Sequence, residues 1–117
     1  MIRAIYRWEV QPGAEEAFVN AWIRGTEVIR EHVKGAQGSV LLRNRSKPVE
    51  FIAIARWESF ADWQAFSDAK PPAPRAFQCV EEVSTLVSAE VCDEIYDLVF
   101  DGSGVTYTRP HDLAAIL

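Results

Sequence analysis

The chain has 117 residues, 49% hydrophobic and with four Trp, which is enough for one globular domain with its own core. A net charge of −5 with no basic patch excludes a nucleic-acid partner, and no apolar run approaches the ~20 residues of a membrane helix, so no membrane is expected either. Arg3, Arg7 and Glu9 interrupt the N-terminal apolar residues and argue against a secretory signal; Cys79 and Cys92 lack metal or disulfide spacing, so partly buried reduced thiols in a cytoplasmic protein are expected.

Residues 2–10 alternate strictly and predict a strand, with Ile2, Ala4, Tyr6, Trp8 and Val10 on one face and Arg3, Ile5, Arg7 and Glu9 on the other. Gln11-Pro12-Gly13 is a turn. From Ala14 to about Lys34, Phe18, Ala21, Trp22, Gly25, Ile29 and Val33 fall on one helical stripe, with Glu15 and Glu16 at the start, His32 and Lys34 at the end, and Gly35 as the stop. Gly25 inside that helix implies a close neighbour. Gly38 to about Arg45 predicts a second strand, joined through Ser46-Lys47-Pro48 to a third at 50–57 as an antiparallel hairpin. In the third strand Phe51, Ala53, Ala55 and Trp57 oppose Ile52, Ile54 and Arg56; both faces are largely apolar, so the strand should be central. Ser59 and Asp62 form a helix start, followed at helical spacing by Phe60, Trp63 and Phe66 over 59–67. Lys70 to Pro74 is a loop, Arg75 to about Val87 resumes helical spacing, and Glu94 to Phe100 alternates as a last strand. Asp101-Gly102-Ser103-Gly104 closes the domain at 1–101, leaving 102–117 as a tail with a short strand at 105–108.

The order strand, helix, strand, strand, helix, helix, strand is the α+β, ferredoxin-like split βαβ arrangement: a four-stranded antiparallel sheet with helices on one face. Ile5, Ile52 and Ile54 would then face away from the helices, and a homodimer packed sheet on sheet is the expected cover. Residues 1–58 carry nine Lys/Arg against seven acids, and 59–117 carry three against ten, an asymmetry that solvated surface explains and that could also help two copies meet.

No phosphate loop, metal-spaced ligand cluster or nucleophile elbow is present, and the helix dipole accounts for His32. Aromatic density is the remaining signal. Two readings stand for Tyr6, Trp8, Trp22, Trp57 and Trp63: a solid core, or walls of a flat pocket for a polycyclic aromatic ligand, with Ala53 and Ala55 leaving space between sheet and helices.

Pro12-Gly13, Phe18 and Trp22, Gly38-Ser39, and Glu50-Phe51 through Arg56-Trp57-Glu58-Ser59 together resemble the antibiotic biosynthesis monooxygenase family, small ferredoxin-like proteins that pair into a dimeric α+β barrel. The resemblance implies oxidation of a polyphenolic or anthrone-type small aromatic substrate by molecular oxygen with no metal or flavin. It places Trp57 and Tyr6 at the substrate oxygens as catalytic residues, with Trp8, Trp22, Ala53 and Trp63 lining the substrate site. In the anthrone oxygenases an Asn precedes the strand-three Trp by four positions; this chain carries Ala53 there, and Tyr6 is the nearest polar group. Haem-degrading proteins of the same topology need a His after the central strand, and none lies between Trp57 and Leu86. A non-catalytic small-molecule-binding or structural dimer of the same fold is the alternative.

Overall fold

The computed structural model describes residues 1–102 and 104–108. In chain order the elements are β1 (Ile2–Val10), α1 (Glu15–His32), β2 (Ala36–Arg43), β3 (Glu50–Trp57), α2 (Phe60–Asp68), α3 (Pro74–Val83), β4 (Ser84–Asp93), β5 (Asp97–Asp101) and β6 (Gly104–Thr108). The first four strands make one antiparallel sheet in the order β2-β3-β1-β4, the expected ferredoxin-like arrangement with the most apolar strands at its centre. Among the described residues no helix is long and apolar enough to cross a membrane.

Alternation decides which side chains the helices cover. Ile2, Ala4 and Val10 of β1 and Phe51, Ala53 and Trp57 of β3 are buried. On the other face the register sets Ile5 beside Ile54, Val40 beside Ile54 and Leu42 beside Ile52. Val40 and Leu42 remain 43% and 45% exposed.

Helix α1 buries Phe18, Ala21 and Gly25 of the expected stripe. Gly25 has the neighbour its position implied: a Cβ there would stand 3.4 Å from the Phe77 ring of α3, so the two helices meet at a residue without a side chain. The start of α2 is as read from its cap, with Ser59 Oγ accepting the Asp62 backbone N–H at 3.1 Å. Beneath it Gly35 turns the chain at φ +84, and its carbonyl accepts the Glu58 N–H at 2.8 Å, tying the α1–β2 link to the end of β3.

The C-terminal half departs from expectation. The third helix ends at Val83 rather than continuing to Val87, and Ser84, already extended at φ −148 and ψ 164, leads directly into β4. The fourth strand of the sheet is therefore Ser84–Asp93, not 94–100. The β-branched run through Val83, Thr85 and Val87 favours extended backbone, while the chance placement of Leu86 and Val87 continues a helical spacing. A bulge hides the strand further: Arg7 pairs with Ser88 but Trp8 with Leu86, so Val87 is an extra residue and the alternation changes phase.

The segment after β4 is held by charge. Arg3 Nε donates to Glu94 Oε1 at 2.9 Å, Arg3 Nη2 to Asp97 Oδ2 at 2.7 Å, and Arg56 Nη2 lies 3.4 Å from Glu94 Oε1. Asp97–Asp101 then pairs with Gly104–Thr108 in a hairpin separate from the main sheet, so 105–108 is a strand as expected. His111 and the rest of the expected tail beyond 108 lie outside the described residues. Strand β2 spans 36–43 instead of 38–45, with a register shift between Ala36 and Ser39. Cys79 is half-buried, whereas Cys92 is exposed, because edge strand β4 turns it away from the helices.

Candidate functional site

The core is divided. Val10, Phe18, Ala21, Phe51 and Val80 cluster in one part of the sheet–helix interface, and Ile2, Ala4 and Trp57 in another. A cavity of about 540 Å³ borders both, enclosed by the covered face of the sheet and by α1, α2 and α3. The aromatic residues thus build a pocket as well as a core. Space arises where the sheet carries small residues, Ala36, Gly38 and Ala55, opposite Trp22, Phe66 and Phe77 of the helices.

Tyr6, Trp8, Trp22 and Trp57 all border the cavity, as the sequence suggested. Tyr6 and Trp8 are two residues apart on β1 and therefore share its face. Trp57 closes β3, is 2% exposed, and packs against Phe66 with ring centroids 5.1 Å apart. Trp8 meets Trp22 edge-on at 6.0 Å. Ala53 and Trp63 are not brought to the wall. Ala53 is fully buried between Tyr6 and Leu41 in the sheet register, too short to reach the space. Trp63 stands behind Tyr6 on α2, its indole Nε1–H donating to the Tyr6 hydroxyl at 2.9 Å.

Sequence reasoning missed the polar side of the pocket. Thr26 and Arg30 border it at steps of four from Trp22 along α1, with Glu27 beside them. That spacing was the available signal, masked by the apolar stripe running alongside. Glu27 and Arg30 are exposed, so they mark the side on which the cavity opens to water. His32 at the end of α1 is exposed and takes no part in the wall.

The chemistry of the pocket is donor-rich. The indole Nε1–H groups of Trp8 and Trp57 are buried without a hydrogen-bond partner among the described residues. Such a buried orphan costs about 1–3 kcal/mol, which an acceptor on a bound molecule would recover. Burial pushes the Tyr6 phenol above its ordinary 10.0, and the Trp63 hydrogen bond opposes this without prevailing. Tyr6 is therefore neutral at physiological pH, with its oxygen accepting from Trp63 and its own proton free to donate. All three residues border the cavity, and Glu27, at its open side, is the one carboxylate among the residues that line it. Among the described residues no three His, Cys, Asp or Glu side chains gather as a metal site would require.

The family model for antibiotic biosynthesis monooxygenases matches residues 1–78. The chain belongs to this family. The match takes in β1 to α2 and part of α3, and so nearly every wall of the cavity; the closing β4 and the hairpin lie beyond it. No curated protein matches the chain. Among solved structures, it is similar to SnoaB, a cofactor-independent oxygenase from Streptomyces nogalater, at 20% identity and a TM-score of 0.70 over 80% of this chain and 91% of that one. It is also similar to antibiotic biosynthesis monooxygenase homologues from Bordetella bronchiseptica (18% identity, TM-score 0.68, 80% of this chain and 96% of that one) and Chloroflexus aurantiacus (16%, 0.66, 80% and 92%). At these identities the structural likeness is one of fold.

Proposed function

We propose that the protein is a monooxygenase that oxidises a polycyclic aromatic or quinol-like substrate with molecular oxygen, using neither metal nor flavin. The observation that carries this reading is the make-up of the cavity wall: Trp57 and Trp8, whose buried indole N–H groups have no partner among the described residues, and the neutral Tyr6 phenol. Donors without acceptors suit a substrate whose oxygens become anionic. Family membership supports the oxygen chemistry.

In the reaction the substrate supplies the electrons. A ring CH2 conjugated through the flanking aromatic rings with the carbonyl across the ring loses a proton to water at the open side of the cavity, and the negative charge collects on the carbonyl oxygen, where the Trp57 N–H and Tyr6 O–H stabilise it. This electron-rich enolate passes one electron to dioxygen, and the two radicals join in a carbon–oxygen bond. Loss of the second carbon-bound hydrogen as a proton, with cleavage of the O–O bond, leaves a new carbonyl and releases water. One oxygen atom enters the product and the other leaves as water, so no outside reductant is needed.

The assembly we propose is a homodimer through the open sheet face. Its support is the contiguous apolar set Ile5, Val40, Leu42, Ile52 and Ile54. Light scattering at micromolar concentration should give twice the chain mass, and a stable monomer would contradict it.

Ala53 favours a second reading, a binding protein that keeps the pocket without turnover, because the polar residue of the anthrone oxygenases is replaced by a fully buried methyl group. Oxygen uptake with dithranol, an anthrone, in buffer with chelator and no flavin separates the two. The monooxygenase reading requires uptake above the spontaneous rate, proportional to protein and matched by anthraquinone formed. Folded protein that binds the anthraquinone but does not accelerate uptake would leave the binding reading standing.

A further inference from the structure

We propose that Trp63 is a positioning residue that fixes the Tyr6 hydroxyl as a hydrogen-bond donor to the molecule in the cavity; this rests on reading that cavity as the substrate site. An indole N–H can only donate. With Trp63 Nε1 at 2.9 Å, a lone pair of the Tyr6 oxygen is committed as acceptor from the α2 side. Among the described residues no protein group accepts the phenol proton, and Tyr6 borders the cavity while Trp63 does not. A free phenol could turn its O–H either way and serve as donor or acceptor. Here the geometry leaves it one role, and the N–H bond draws electron density from the oxygen and makes the O–H a better donor.

The fold makes this contact deliberate rather than incidental. Trp63 is four residues past the Ser59 cap, so the first turn of α2 sets its height above the sheet. Its ring packs against Phe60 with centroids 5.5 Å apart, which holds the indole against rotation. Tyr6 lies on central strand β1, the most constrained part of the molecule. Two rigid elements thus meet through one hydrogen bond whose direction the chemistry of Trp dictates.

Spectrophotometric titration of the full chain tests the contact without turnover. The Tyr6 contribution, isolated by difference from Tyr6→Phe, should titrate at higher pH in Trp63→Phe than in the native chain; an unchanged titration would overturn the proposal. The probe for donation is dantron, an anthraquinone with carbonyl acceptors, followed by quenching of Trp emission. Tyr6→Phe and Trp63→Phe should each weaken its binding, Tyr6→Phe by about fivefold, the worth of one neutral hydrogen bond. The double variant should bind no worse than Tyr6→Phe alone. Losses that multiply would make Trp63 an independent contact and overturn the assignment. If Trp63→Phe does not fold, Trp63→His, which retains a ring N–H, should keep the native Tyr6 titration, and Trp63→Leu should raise it; equal behaviour of the two overturns the proposal. Dantron binding with coupled losses but no dithranol oxidation would end the monooxygenase reading and leave this one intact; oxidation with multiplicative losses would do the reverse.

Discussion

A phenol whose oxygen already accepts an indole N–H, and whose charged form burial disfavours, keeps its proton well past neutrality. The consequence for stability has a definite sign. The folded pKa lies above the unfolded value near 10.0, so the native state holds the proton more tightly. The resulting contribution is fully present below the unfolded value and is lost as pH rises through the folded one. Urea unfolding at stepped alkaline pH should show this decline, and Tyr6→Phe should remove that part of it. A decline identical in the Phe variant would mean that Tyr6 is not the group responsible. Trp57 makes the stronger claim on the chemistry, being both buried and unpartnered. Trp57→Phe keeps a ring against Phe66 while removing the donor and part of the buried indole, so kcat should fall by ~10²–10³ while far-UV circular dichroism still reports the folded chain. Undiminished turnover would take Trp57 out of the reaction.

The α2 helix begins at a junction of small parts. Ser59 Oγ caps it at 3.1 Å, and Asp62 of its first turn lies where a side chain on Gly35 would have to go. Ser59→Ala should cost about 1 kcal/mol in denaturant unfolding. Gly35→Ala should cost more, about 2–3 kcal/mol, because the residue sits at φ +84 and its new Cβ would collide with Asp62. A smaller loss for Gly35→Ala than for Ser59→Ala would contradict this packing. These features were legible because each has a local chemical signature, as do the alternation of β1 and β3 and the stripe of α1. β4 was not legible, since α3 passes into it at Val83–Ser84 without Gly or Pro and a bulge at Val87 breaks its alternation. Within the site, Tyr6, Trp8, Trp22 and Trp57 could be read from strand faces and helical spacing. That Trp63 would contact Tyr6 rather than the cavity could not, because it depends on how α2 docks on the sheet, a distance of 57 residues along the chain.

The sheet has two faces with different work: one closes the cavity with three helices, and the other presents Ile5, Val40, Leu42, Ile52 and Ile54 beside the Arg3, Arg56 and Glu94 cluster. A carboxylate in the middle of the apolar set would be expensive to bury against a second copy. Ile54→Asp should therefore give a folded monomer by light scattering, and a dimer that survives it would place the interface elsewhere. The cavity chemistry itself is tested most directly by the fate of dioxygen. Dithranol turned over under heavy-isotope dioxygen, in ordinary water with chelator and no flavin, should yield an anthraquinone carrying one heavy oxygen atom, at a rate that Trp57→Phe sharply reduces. A product whose new oxygen comes from water, or turnover no faster than without protein, would contradict the account.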